Sequence, residues 1–346
     1  MIINGAMNVA QRSASVTGIG ASDGYFTCDR WNLNINGSVA SAGRLTMSQT
    51  SDGPDGISAN CIKIDCTTAD TSIAAGEHLI LEQRFEGQNL QRMAKGLAGA
   101  KQVTVSFYVK ASAAFDFVVE LYDADHDRQI SKLYSTTTDW VRHEFTIPAD
   151  VDGGDQPLDD DNALSFLIDF WLHGGSTYTS GTLNTASWAN ASAANLAAGI
   201  DSIYSAENNA ISFTGVQLEV GPVATEFEQE DFGVTYQKCL RYTNKLVFTT
   251  SGTSFGMGYA ESTSQHRTPF KFSKMRAAPT VTFSGATDFA IVNGDVGVSS
   301  TSIAGSSMSD SMGLIFTTQS GAGMTQNEPM YIRASAGKFI MLDSEL

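Results

Sequence analysis

Alternation with a period of two runs through most of this chain. Val103, Val105, Phe107 and Val109 alternate with Thr104, Ser106 and Tyr108, and Phe115, Phe117, Val119 and Leu121 keep the same rhythm. Such alternation predicts strands with one apolar face. More strands are expected over residues 31–35, with Asn32 and Asn34 on a wet face, and at Leu45 and Met47. Others fall at 61–66, 79–85, 130–134 and 141–147, the last ended by Pro148. Leu164, Phe166, Ile168, Phe170 and Leu172 give the longest apolar face, with Ser165 and Asp169 opposite, so this strand should lie centrally in its sheet. Leu90, Met93 and Leu97 stand at i, i+3 and i+7 between Gly87 and Gly99, which predicts one short amphipathic helix capping the strands.

The pattern changes period after residue 210. Ile211 and Phe213 fall on one parity and Val216, Leu218 and Val220 on the other, so a bulge is expected at Gly215. Gly221-Pro222 ends that strand, and Phe232, Tyr236, Cys239, Leu240 and Thr243 recur at helical spacing. A helix of about 11 or 12 residues is marginal alone, so it should pack on its neighbours or on copies of itself. Before it, residues 174–209 are rich in Ser, Thr, Ala, Asn and Gly, and a loop that long is often functional. Beyond it, short apolar runs from Phe248 to Leu342 are spaced by Gly and Ser.

About nine or ten strands, without strand-helix alternation, argue an all-β chain. It should be a jelly-roll-like two-sheet sandwich followed by a short helix and a smaller C-terminal β domain. The expected boundaries are 1–24, an extended lead or docking arm; 25–230, the sandwich, resembling a carbohydrate-binding module; 231–245, a helical neck; and 246–346, the C-terminal β domain.

Composition narrows the partners. Against 21 basic residues stand 37 acidic ones, and the net charge of -16 opposes nucleic acid and anionic membranes. No apolar run approaches the roughly 20 residues of a membrane helix, and the opening MIINGAMNVAQR lacks a basic start with an apolar core, so neither membrane insertion nor a secretory leader is expected. Cys61 and Cys66, five apart in one strand, point to opposite faces; with Cys28 and Cys239 they are expected as reduced, partly buried thiols.

Several stretches resemble one group of phage tail-fibre and virion appendage proteins. They are Asn4 to Arg12, YFTCDRW at 25–31, QRFEG at 83–87, VTVSFYVK at 103–110, and GVQLEVG, ATEFE and KCLRY between 215 and 242. MRAAPTVTF at 275–283 is similar to the start of distal fibre domains. Glu226 stands where the group has proline, Tyr108 where it has tryptophan and Thr243 where it has an aromatic. The resemblance implies a tail-fibre or receptor-binding subunit that attaches to host-surface glycan. A head fibre or decoration protein and a polysaccharide-cutting tailspike are the alternatives. It also implies a homotrimer with Phe232, Tyr236, Cys239 and Leu240 in its neck, and docking to other tail or capsid proteins through the N-terminal segment. Its place would be the virion, assembled in the host cytoplasm, with no cofactor.

Candidate chemistry is sparse. Asp123, Asp125 and Asp127 have the first spacings of a calcium loop, but Arg128 stands where glycine is needed and Tyr134 where a bidentate Glu is needed, so a hairpin turn is expected and no metal. Asp150, Asp152, Asp155 and Asp159 to Asp161 read as a solvated acidic loop. A glycosidase needs two facing carboxyls, for which Asp169 beside Trp171 is the nearest candidate, with an outward-facing strand position as the plain explanation. The five histidines complete no triad, so no catalytic residue is expected. For a sugar, Tyr178, Trp188 and Tyr204, with Asn184 and Asn190, offer flat faces and amides in the long loop, unless these aromatics anchor it. The intervals 293–310 and 317–327 read as polar tip loops.

Overall fold

The computed structural model describes residues 1–35, 43–151, 156–293, 296–319 and 324–346, in two compact units: Met1–Tyr236 with Leu346, and Gln237–Glu345. Strands of the first unit are β1 (Ser15–Ile19), β2 (Asn32–Ile35), β3 (Arg44–Thr50), β4 (Cys61–Thr68), β5 (His78–Glu86), β6 (Val103–Ala111), β7 (Asp116–Asp123), β8 (Arg128–Ser135), β9 (Val141–Ile147), β10 (Leu164–Gly174), β11 (Ala189–Asn190) and β12 (Ala210–Val220). They form two antiparallel six-stranded sheets, in the orders β1-β3-β4-β12-β6-β9 and β11-β8-β7-β10-β5-β2. This is the expected all-β, jelly-roll-like sandwich.

Inward parities of the two sheets meet in one core. Phe170 of β10 lies 4.9 Å, ring centroid to centroid, from Phe107 of β6 and from Phe213 of β12. Each such pair adds about 0.5–1.5 kcal/mol beyond its buried area. Gly215 sits at a positive φ of 60°, where the β6 pairing shifts register between Thr214 and Gln217, so the expected bulge is present. The four cysteines are free and buried.

Three expectations need correction here. The lead is not a free arm, because Met7 and Val9 are buried, the Trp31 indole donates to the Asn4 carbonyl at 3.1 Å, and β1 pairs with β3. Its few apolar residues suffice because they fill the end of a core already built by others. The capping helix is instead two single 3-10 turns, Gly87–Asn89 and Gln91–Met93, stopped by Ala94 in the left-handed region at φ 47°. Leu90 and Met93 still face the core. The wet face of β2 is occupied, since Asn32 and Asn34 donate to Glu82 at 2.8 and 3.0 Å.

Residues 175–209 form a compact covering segment with a four-residue helix, α1 (Ser176–Thr179), and 3-10 turns at Ala193–Asn195 and Ile203–Ser205. Helix α2 (Phe232–Leu240) is shorter than its apolar spacing suggested, because Thr243 pairs with Asp343 in a strand.

The second unit contains β13 (Thr243–Phe248), β14 (Thr253–Ala260), β15 (Gln265–Lys271), β16 (Thr280–Phe283), β17 (Phe289–Asn293), β18 (Val296–Ser299), β19 (Ser302–Ser306), β20 (Met312–Thr318), β21 (Pro329–Ala334) and β22 (Lys338–Asp343). Three strands pair as β13-β22-β16 and seven as β18-β17-β21-β14-β15-β20-β19. Phe248, Phe255, Phe283 and Phe289 meet edge to face or tilted in its core. The interval read as one tip loop, 293–310, carries β18 and β19, because Val-Gly-Val-Ser and Ser-Ile-Ala-Gly-Ser, too short to stand out among their polar neighbours, pair with β17 and β20. Residues 294–295 and 320–323 of the two tip intervals lie outside the described residues.

Candidate functional site

The outward face of the first sheet is polar. Register places Ser48 of β3, Lys63 of β4, Ser212 of β12 and Lys110 of β6 side by side, with Thr46 and Asp65 in the next row. Outward positions of these strands carry short hydroxyls next to long ammonium groups, so the surface sinks between the lysines. A groove of about 600 Å³ results, floored by Ser212 and Ala210 and walled by Lys63, Asp65, Lys110 and Asn208.

Its charges are paired. Lys63 Nζ lies 2.7 Å from Asp65 Oδ1, Lys110 Nζ contacts the carboxylate of Asp52, and the Lys110 ammonium sits 5.1 Å from the Trp140 ring centroid. The Trp140 indole donates to the Asp52 carbonyl at 3.0 Å, which fixes the ring behind Lys110. Cys66 also lines the groove, but burial pushes its thiol up, away from the reactive thiolate. The site therefore offers ammonium and hydroxyl donors and carboxylate acceptors, a set that suits a polyhydroxylated molecule.

The aromatics expected to hold sugar are not gathered. Trp188 is buried, donates to the Pro148 carbonyl at 2.9 Å and lies under the Lys95 ammonium, 4.5 Å from its centroid. Tyr204 is buried against His173, 5.1 Å away. Tyr178 packs on Trp171 and His78, each at 5.2 Å. All three anchor the covering segment, as large aromatics in loops do when the sheet below offers apolar seats. Asn190 is exposed and accepts from Arg128 at 3.3 Å, whereas Asn184 Nδ2 is buried without a partner.

Acidic candidates are also redistributed. Asp123, Asp125 and His126 come close enough to hold a divalent ion. Yet Asp123 already accepts from the Asp125 and His126 amides at 3.0 and 3.1 Å and pairs with the Lys95 ammonium, so its lone pairs are engaged in ordering the β7–β8 hairpin. Asp150 is no part of a solvated loop: it is buried between Lys95 at 2.8 Å and Arg128 at 2.6 Å. Asp152 and Asp155 lie outside the described residues. Asp169 is buried rather than solvated, between Glu82 and Glu120 on the neighbouring strands.

Sequence reasoning missed the groove because its residues come from four strands far apart in the chain. It missed Glu82 and Glu120 although each directly follows three apolar residues of its strand, a signal that was there to read.

No known protein-family model and no curated protein matches the chain. Among solved structures the chain is similar to the carbohydrate-binding module CBM4, at 17% identity over 64% of this chain and 100% of that one, TM-score 0.34. It is also similar to the family 11 carbohydrate-binding module of the cellulosomal cellulase Lic26A-Cel5E of Clostridium thermocellum, at 10% identity over 62% and 99%, TM-score 0.29. A family 30 carbohydrate-binding module is similar at 11% identity over 66% and 96%, TM-score 0.29.

Proposed function

We propose that this chain is a non-catalytic adhesion subunit of a phage virion appendage, a tail fibre or receptor-binding protein, holding host-surface glycan in the groove of its first sheet. The observation that carries the glycan part is the groove itself: paired ammonium and carboxylate groups around hydroxyls, with a tryptophan fixed beside them. The appendage part is supported by the motifs between residues 4 and 242.

Adhesion by weak single sites needs several copies acting together. In α2, Phe232 is 57% exposed and stacks on Tyr236, one turn along the same face, with centroids 6.0 Å apart. Three copies of this face would cover each other in a homotrimer neck, while Cys239 and Leu240 are already buried within the chain. No bond is broken in this reading, since the acidic residues Glu120 and Asp169 lie beneath the covering segment, 1% and 6% exposed. Incubating the purified protein with host envelope is the test. Stained cells without released sugar are expected, and depolymerised glycan or unstained cells would overturn the reading.

A further inference from the structure

The outward face of the second sheet carries a row that the adhesion reading does not use. Ser131, Glu120, Asp169, Glu82 and Asn32 stand side by side on β8, β7, β10, β5 and β2. All five are buried. Glu82 is settled, because Arg84 Nε at 2.6 Å, Asn32 and Asn34 all donate to it. Glu120 Oε2 accepts from the Trp171 indole at 2.7 Å. Its other oxygen, Oε1, and Asp169 Oδ1 are buried with no partner.

Directly opposed residues of an antiparallel pair hold their Cβ atoms about 4.5–5.5 Å apart. Two carboxylates at such range repel each other strongly in the poorly screened interior, beyond what each loses in leaving water. One proton between them removes the repulsion and gives both orphan oxygens a partner, as in the paired carboxyls of aspartic proteases. We propose that Glu120 and Asp169 share one proton across β7 and β10, and that this acid pair keeps the covering segment 175–209 seated and loosens it when the proton leaves at alkaline pH.

The covering segment rests on the same face. Tyr178, Leu183, Leu196 and Ile200 pack on Ile80, Val118 and Trp171, and the Ser131 amide donates to the Asn184 carbonyl at 2.9 Å. Burial pushes Glu120 up to about 8, and burial together with Glu82 and Glu120 pushes Asp169 up, against the pull of Arg84. The other titratable groups on this face are Glu82 and Arg84 of β5, Tyr122 of β7, His78 and His173 beside Trp171, and Tyr178 of the covering segment, with Tyr25 and the C-terminal Leu346 reaching Arg84 from outside. Burial pulls His78 down and His173 down to about 4, and it pushes Tyr122 up, so His173 and Tyr122 are neutral as the proton leaves, while His78 is common to wild type and variant and cancels in their comparison.

A carboxyl that titrates higher folded than unfolded stabilises fully below its unfolded value and loses that contribution as pH rises through the folded value. Here the window runs from the ordinary 4.5 to about 8. The test compares wild type with Glu120→Gln, whose amide keeps the shape, accepts from Trp171 and donates permanently to Asp169. Relative to the variant, the wild-type folding constant should fall by about tenfold per pH unit inside the window, with faster amide exchange in 175–209 at its alkaline end. Parallel profiles would overturn the proposal. Infrared absorption of the wild type at pH 7 gives a second reading independent of how the variant folds: a buried carboxylic-acid band is expected, and its absence would equally overturn the proposal.

Discussion

Gly215 shows how one missing Cβ sets the course of a strand. At φ 60° an added Cβ would stand 2.8 Å from the Tyr108 ring, so Gly215→Ala combines strain with a clash. A loss of about 1–3 kcal/mol is expected in urea unfolding. The parity switch around this residue was legible, because a bulge leaves its mark in the order of apolar and polar residues. Asp150 was not legible, since its neighbours Lys95 and Arg128 come from a distant turn and from the start of β8. Burial pushes its carboxyl up, but hydrogen bonds from Arg128 and Lys95 outweigh that and hold it low. A lowered folded value means stability that is present above the ordinary 3.8 and lost as pH falls through the folded value. Replacing it by Asn takes away the carboxylate that Arg128 and Lys95 share, leaving Lys95 with Asp123, and should cost about 3–5 kcal/mol at pH 7, a gap that narrows in acid.

At the scale of elements, strands were readable and coverings were not. Alternation placed β6, β7 and β10, and correctly set Asp169 on the side away from the main core. That this side is buried follows from residues 175–209, whose polar composition looks like a wet loop but whose Tyr178, Leu196 and Ile200 close over the sheet. The capping turns illustrate the same limit: i, i+3, i+7 spacing finds the buried residues, while the left-handed Ala94 decides that no helix forms. Trp188→Ala removes an anchor of the covering segment and should cost about 3–5 kcal/mol in thermal or urea unfolding, while glycan affinity stays within about twofold because the groove lies on the other sheet. In α2, Phe232→Ser should shift sedimentation from trimer toward monomer with little change in the circular dichroism spectrum.

For the whole molecule, the fold class was legible because period-two patterning is a property of every strand at once. The groove was not, since it exists only when β3, β4, β12 and β6 are laid side by side. Net charge also acts at this scale: with -16 overall, and with each groove lysine paired to an aspartate, glycan binding should rest on short-range hydrogen bonds. Affinity for a neutral glycan should then change less than about threefold between low and physiological salt, unlike an electrostatically steered partner. The most direct check on the adhesion account is calorimetric titration of host envelope polysaccharide into wild type and into the double variant Lys63→Ala, Lys110→Ala. Hydrogen bonds from charged groups at about 1.5–3 kcal/mol each predict at least a tenfold loss of affinity with the fold intact, whereas equal affinity in the two proteins would contradict the groove as the glycan site.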